Sequence, residues 1–130
     1  MERAFWPREG VHGASLIEPM GMSQEEFSSR FKGSPVKRAK RRGLLRNVAV
    51  TLGNWGSPEA VPVLAAALND EEPLVRGHAA WALGRIGTEG PLQALRGREE
   101  VEEDGWVREE LSTGLEEALA LPPSRPTPRS

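Results

Sequence analysis

The stretch "VAVTLGNWG" at residues 48–56 decides the fold, because it recurs as "AAWALGRIG" at residues 79–87, an offset of 31 residues. Leucine and glycine occupy matching positions in the two copies, which pair Leu52 with Leu83, Gly53 with Gly84 and Gly56 with Gly87. A third, partial copy follows about 32 residues later, where "WVREELSTGL" at 106–115 echoes "LVRGHAAWAL" at 74–83. A period near 31 that holds a helix, a glycine-containing turn and a second helix is typical of an α-solenoid.

The repeat predicts an all-α solenoid of about two and a half helix pairs. We predict a lead-in strap over residues 1–22 and a helical repeat domain over residues 23–120. The last ten residues, 121–130, contain four prolines and are predicted to be a disordered tail. The repeat helices are predicted at 35–53, 58–69, 73–85, 89–97 and 105–120.

Two helix starts have clear sequence signals. Ser23 can cap a short helix, and Glu26 stands three residues later, where it closes a capping box. Ser34 and Pro35 are an N-cap and a first-turn proline, and they predict the start of the first repeat helix. We expect Gly53 to end that helix.

The composition excludes several kinds of site. The chain has no cysteine, so its own residues cannot form a disulfide, a thiolate metal site or an iron–sulfur cluster, and its two histidines are too far apart in the sequence to indicate a zinc site. The longest apolar run, residues 60–68, is too short to span a bilayer. No secretory signal is visible at the start, so we expect a cytoplasmic protein without a membrane partner.

Charge is distributed unevenly along the chain, although the net charge is only −2. No acid lies between Glu26 and Glu59, a segment that holds eight of the 17 basic residues, whereas nine of the 19 acids lie between Glu99 and Glu117. An asymmetry of this size indicates an oriented, charged partner. Cations in the first turns of a helix also oppose its dipole, so a polyanion is the favoured partner, and RNA is favoured over a membrane. The alternative interpretation is a solvated helix face.

The candidate RNA-binding residues follow from this segment. Five cations recur at helical spacing and could neutralise several phosphates. Asn47 and His78 occupy the same repeat position and are candidate polar contacts, although both could instead bond neighbouring backbone groups. The candidate set is therefore Lys37, Arg38, Arg41, Arg42, Arg46, Asn47 and His78.

Other notable side chains are assigned structural roles. Arg76 and Arg108 each follow a helix start, and we expect them to brace the preceding unit through carbonyl groups or acids. Trp55 and Trp81 are expected to pack in the core rather than to stack on a base. The sequence shows no phosphate loop, metal-ligand spacing or nucleophile–base set, so we predict neither catalytic nor metal-binding residues.

The repeat resembles HEAT-like repeats of the phycobilin-lyase type. More specifically, the chain resembles the C-terminal part of members of the epoxyqueuosine reductase family. The most specific matches are Phe31, Gly33, Ser34 and Pro35, the spacing of Arg38 and Arg42 before "LRN" at 45–47, and "VRGHAAWALGRIG" at 75–87. The likeness covers about residues 5–87 and extends more weakly to 120. It implies a short HEAT-like solenoid that helps to hold tRNA.

The family resemblance also implies chemistry that this sequence does not contain. Members reduce epoxyqueuosine to queuosine in tRNA with cobalamin and two four-iron–four-sulfur clusters, all held by a region that precedes the HEAT-like part. We therefore expect a truncated product, a split gene or a fragment that binds the anticodon arm of tRNA without cofactors and is not catalytic alone. The main alternative is a protein-interaction scaffold, which could pair with a separate catalytic domain or subunit; a chromophore-lyase-like enzyme is a weaker rival.

Overall fold

The computed structural model describes residues 13–30 and 38–120, and over these ranges it contains helices and no strand. This confirms the all-α prediction. A 3₁₀ turn at Gly13–Leu16 leads into two short helices, and a second 3₁₀ turn at Pro58–Ala60 leads into the fourth helix. The α-helices are α1 (Ile17–Met20), α2 (Gln24–Arg30), α3 (Arg38–Trp55), α4 (Val61–Ala67), α5 (Pro73–Ile86), α6 (Glu89–Glu99) and α7 (Gly105–Ala120).

The helices form the two layers of a short α-solenoid. Helices α3, α5 and α7 lie side by side with α5 in the middle, and α4 and α6 cover one side of that layer. The core between the layers is aliphatic, and Leu45, Leu52, Leu64 and Leu83 are fully buried in it. None of the described helices combines the length and the apolar composition that a membrane span requires.

Glycine residues set the closeness of neighbouring helices in the first layer. A Cβ atom on Gly84 of α5 would lie 2.7 Å from the Cα atom of Gly114 in α7, and one on Gly53 of α3 would lie 2.8 Å from the Trp81 ring. Only glycine permits backbones to approach this closely. The matching positions of Gly53 and Gly84 in the repeat are therefore helix contact points.

This placement corrects the prediction that Gly53 ends α3. The helix continues to Trp55, and the chain turns at Gly56, whose φ is +76°. Gly87 does the same after α5 with a φ of +64°, and its N–H donates to the Leu83 carbonyl. The repeat thus contains two glycines with different roles, the first for helix contact and the second for the left-handed turn.

The end of the predicted strap belongs to the core. Leu16, Met20 and Met22 are buried, and the Trp55 ring lies so close to Gly13 that a Cβ atom there would be 1.9 Å from it. The predicted capping box is confirmed, because Glu26 N donates to Ser23 Oγ at 3.1 Å and Ser23 N donates to Glu26 Oε1 at 2.9 Å. The start of the strap, Ser34, Pro35 and the tail lie outside the described residues.

Candidate nucleic-acid interface

The exposed face of α3 carries Arg46, one of the cations that the sequence predicted to bind RNA, together with Lys40. The 18 residues of this helix include no acid, and Lys40, Arg46 and Asn47 are exposed to solvent. Among the described residues, no carboxylate pairs with Lys40 or Arg46. The side chains of Lys37 and Arg38 lie outside the described part of the structure, so their predicted role remains a prediction. Lys40 was missing from the predicted set and belongs with it by position.

Arg41 does not share this exposed face, and its predicted phosphate contact is corrected. The residue is only 4% exposed, and its Nε donates to the Met22 carbonyl at 3.0 Å. Both of its terminal nitrogens donate to the Asp70 carboxylate, one of them at 3.2 Å. Arg41 falls on the arc of α3 that also buries Leu44 and Val48, so its charge is satisfied inside the protein.

Arg42 is intermediate between these two environments. Its side chain is 42% exposed, and its Nη1 lies 3.3 Å from an oxygen of Glu72. Glu72 precedes α5, so the acids that meet α3 come from the next repeat rather than from its own sequence neighbourhood. No acid lies near these cations in the sequence, but the fold brings Asp70 and Glu72 into contact with α3.

An acid and an arginine six residues later recur in successive units. Arg76 Nη1 donates to the Asp70 carbonyl at 2.9 Å, and Arg108 Nη1 donates to the Glu102 carbonyl at 2.8 Å. Each acid also accepts from the backbone two residues later, as Asp70 does from Glu72 N and Glu102 from Asp104 N, both at 3.0 Å. The predicted bracing roles of the two arginines are thus confirmed. This acid–arginine spacing is a sequence signal that could have identified Asp70 as a structural acid.

Glu102 is a buried acid with a strongly lowered pKa. Burial alone would raise its pKa, but hydrogen bonds from Arg76, from the Asp104 N–H and from Arg98 outweigh burial and lower the pKa to about 2. The carboxylate is therefore charged throughout the neutral range and serves as a structural anion. It has no exposed edge at which a substrate could meet it.

Asn47 and His78 share a repeat position, and each makes its polar contact on its own helix. Asn47 Oδ1 accepts from Nε of Arg46 at 3.3 Å, so its polar contact lies on α3 itself. His78 Nδ1 lies 2.9 Å from the Leu74 carbonyl on α5, and since a carbonyl only accepts, Nδ1 carries the proton. The His78 ring also lies 5.6 Å from that of Trp106, tilted by 49°. Both residues remain accessible.

Trp55 and Trp81 follow the packing prediction. Trp55 and Trp81 are half-buried against the core, and the Arg85 guanidinium lies 5.4 Å above the Trp81 ring. Within the described residues, no group of histidine, aspartate and glutamate is arranged to hold a metal ion. The geometry therefore offers an exposed cationic helix and a neighbouring aromatic surface, both suited to binding.

Comparison with known proteins agrees with the repeat architecture. The HEAT-repeat family matches residues 38–116. The chain is 44% identical over 86 residues to an epoxyqueuosine reductase of Pseudomonas aeruginosa, an alignment that covers 64% of this chain and 23% of the relative. The same enzyme of Bacillus cereus is 32% identical over 103 residues, which cover 78% of this chain and 27% of the relative.

Solved structures show the same likeness. A crystal structure of epoxyqueuosine reductase with a tRNA-Tyr epoxyqueuosine-modified stem loop matches with a TM-score of 0.71 and 28% identity. The match covers 81% of this chain and 28% of that one. The epoxyqueuosine reductase of Bacillus subtilis matches with a TM-score of 0.68 over 78% of this chain. The chain thus spans about a quarter of the length of these enzymes.

Proposed function

Because this chain belongs to the HEAT-repeat family, whose repeats match its residues 38–116, we propose that it is a tRNA-binding module of the epoxyqueuosine reductase type. The RNA would be the anticodon stem-loop. One observation carries the proposal: α3 presents Lys40 and Arg46 to solvent on a helix without a single acid. The structural neighbour that was solved with a tRNA stem loop supports the choice of RNA as the polyanion.

The proposed contacts are electrostatic and independent of base sequence. Lys40 and Arg46 bind phosphate oxygens, and Arg42, whose side chain is 42% exposed, adds a phosphate contact beside its contact with Glu72. Lys37 and Arg38 extend the same set by their position in the sequence. Such contacts fix the position of an RNA without reading its bases. Arg41 is left out of the set because its guanidinium is committed to Asp70 and Met22.

The amide of Asn47 and the imidazole of His78 can add neutral hydrogen bonds to the contacts made by these cations. Asn47 lies one residue beyond Arg46 on the exposed side of α3, where its amide can donate to a phosphate or a ribose hydroxyl. His78 stands on the adjacent helix with Nδ1 bound to the Leu74 carbonyl, which leaves Nε2 for an RNA group. These are weaker contributions than the guanidinium contacts, because charge-assisted hydrogen bonds are about twice as strong as neutral ones.

In this proposal, the residues of this chain hold the RNA and take part in no step of the reduction. Cobalamin and iron–sulfur clusters would supply the electrons in an epoxyqueuosine reductase, but this chain has no cysteine to ligate a cluster. The residues present therefore do not fit an iron–sulfur cluster. A catalytic domain or subunit outside this sequence would therefore perform the chemistry on the RNA that this module holds.

Binding of a tRNA-Tyr stem-loop RNA by the full chain, measured as a function of salt, tests the proposal. We expect the logarithm of the association constant to fall linearly with the logarithm of the salt concentration, with a slope of about −2 to −4.5 for three to five phosphates. A polyadenylate strand and a heparin fragment serve as competitors that separate stem-loop recognition from general polyanion binding. Absence of binding at 20 mM salt would refute the proposal.

A protein-interaction scaffold is the second candidate, and two observations favour it. Arg42 already has a carboxylate partner in Glu72, and the exposed side of α7 carries the acids Glu109 and Glu116. A scaffold of this kind would bind a charged protein surface with little dependence on RNA. In that case, stem-loop RNA would not displace the protein partner. If the chain is instead a tRNA-binding module, RNA would displace any protein bound to this face, or no protein would bind there.

A further inference from the structure

Trp106 is an exposed aromatic side chain in a fixed orientation. It is 40% exposed at the start of α7, and its ring lies so close to α5 that a Cβ atom on Gly77 would be 2.3 Å from it. His78, the next residue of α5, holds its ring 5.6 Å away at a tilt of 49°. The indole thus packs on Gly77 and beside His78, while a large part of its surface faces solvent.

The surroundings of Trp106 form a continuous accessible surface on the middle helix. The solvent-facing stripe of α5 consists of Leu74, His78, Trp81 and Arg85, spaced at three or four residues. Helix α3, with its exposed cations, packs directly against α5. Helices in such a layer are separated by about 8–10 Å, so a strand bound to α3 through its phosphates can reach the α5 stripe with its bases.

We propose that Trp106 and His78 together form a stacking site for an unpaired nucleobase of the RNA that α3 holds. This inference rests on the proposed function and adds a base-contacting site to its phosphate-binding face. Unpaired bases of loops stack on aromatic side chains, and each base that does so contributes about 1–3 kcal/mol.

The charges around Trp106 favour a base over a phosphate at this position. Glu109 and Glu110 stand one turn after Trp106 on α7, and their carboxylates repel a phosphate while accepting the amino groups of bases. The cations of α3 lie on the other side of α5. An RNA strand would therefore cross this layer with its backbone on α3 and its bases toward α7.

The rigidity of the site strengthens this assignment. The Trp106 ring packs directly on Gly77, and His78 is held by its bond to the Leu74 carbonyl. A side chain that is already fixed loses little conformational entropy when a base stacks on it. The same ring would also suit an apolar side chain of a protein, and the experiment below separates the two occupants.

Two substitutions at position 106 test the stacking site with the full chain and a tRNA-Tyr stem-loop RNA. Trp106→Leu keeps an apolar cover on Gly77 but removes the aromatic face, whereas Trp106→Phe keeps a face. We expect Trp106→Leu to weaken binding by roughly 5- to 100-fold and Trp106→Phe to weaken it less, with the salt slope unchanged in both. Leu119→Ala, which alters another exposed apolar residue, is the matched control and should bind like the wild type.

A stem-loop whose loop nucleotides are abasic completes the test. The difference between wild type and Trp106→Leu should disappear on this RNA, because no base remains to stack. If the wild type binds RNA and Trp106→Leu binds equally well, or if the difference persists on the abasic loop, the stacking site is overturned while the phosphate-binding face stands. If the wild type binds neither RNA, both the inference and the proposed function fail. A thermal melt of each variant establishes that it is folded.

Discussion

Arg76 donates two hydrogen bonds of 2.9 Å each, from Nε and Nη2, to the carboxylate of Glu102, whose side chain is fully excluded from solvent. Arg98 Nε adds a third at 2.9 Å. The interaction ties α5 and α6 to the start of α7. A buried ion pair offsets its desolvation cost only when every partner is satisfied, and this carboxylate meets that condition.

Replacing Glu102 with Gln should therefore destabilise the protein strongly. The amide cannot satisfy the guanidinium groups of Arg76 and Arg98, which would remain partly buried with uncompensated charge. We expect the free energy of unfolding to fall by about 3 kcal/mol in urea denaturation at pH 7. Glu103→Gln, at the exposed neighbouring position, is the matched control and should change it by less than about 0.5 kcal/mol. A Glu102→Gln variant as stable as this control would contradict the account.

The same carboxylate predicts a pH dependence of stability. Its pKa is about 2 in the folded protein and 4.5 for an ordinary glutamate, so the unfolded chain binds the proton more readily. The stabilisation is complete above pH 4.5 and is lost as the pH falls toward 2. Urea denaturation at pH 7 and pH 3 should show the gap between wild type and Glu102→Gln narrowing at the lower pH. Parallel profiles would show that Glu102 does not control this range.

Helix packing should be sensitive to a single methyl group at Gly84. In a Gly84→Ala variant, the added Cβ atom would lie 2.7 Å from the Gly114 backbone, so α5 and α7 must separate. We expect a loss of about 1–3 kcal/mol in the free energy of unfolding. Gly97→Ala is the control, because that glycine is helical and its Cβ position is open. It should be neutral or stabilise by up to about 1 kcal/mol.

Arg41 and Arg46 should separate stability from binding, although they lie only five residues apart on α3. Arg41→Gln leaves Asp70 without its bidentate partner, and we expect it to lower the free energy of unfolding by about 3 kcal/mol. Arg46→Gln removes only an exposed charge and should change the free energy of unfolding by less than about 0.5 kcal/mol. Equal melting temperatures for the two variants would contradict the burial of Arg41.

Much of the fold could be predicted from the 31-residue repeat, because helix periodicity and turn glycines are local signals. The capping box of Ser23 and Glu26 is local in the same sense. The prediction for Gly53 is wrong because a glycine near a helix end can either cap the helix or allow a close contact, and only the neighbouring α5 distinguishes these roles.

The candidate site was predictable only in part, for a related reason. Charge density along α3 identifies a cationic helix, but helical spacing alone does not reveal which arginine points inward. Arg41 is compensated by Asp70, 29 residues away, through packing between repeats. The sequence does not show that one face of Trp106 is covered and the other exposed, because the covering residue, Gly77, belongs to a different helix.

The salt dependence of stem-loop binding by a Lys40→Gln/Arg46→Gln double variant tests the central claim most directly. Both side chains are exposed, so the variant should fold normally, and Arg96→Gln on α6 is a matched control that removes an exposed charge elsewhere. If the two residues contact phosphates, the slope of log K against log salt should become less steep by about 1.4–1.8 and affinity at low salt should fall, while Arg96→Gln keeps the wild-type slope. A double variant with the wild-type slope and affinity would contradict the claim that α3 binds RNA.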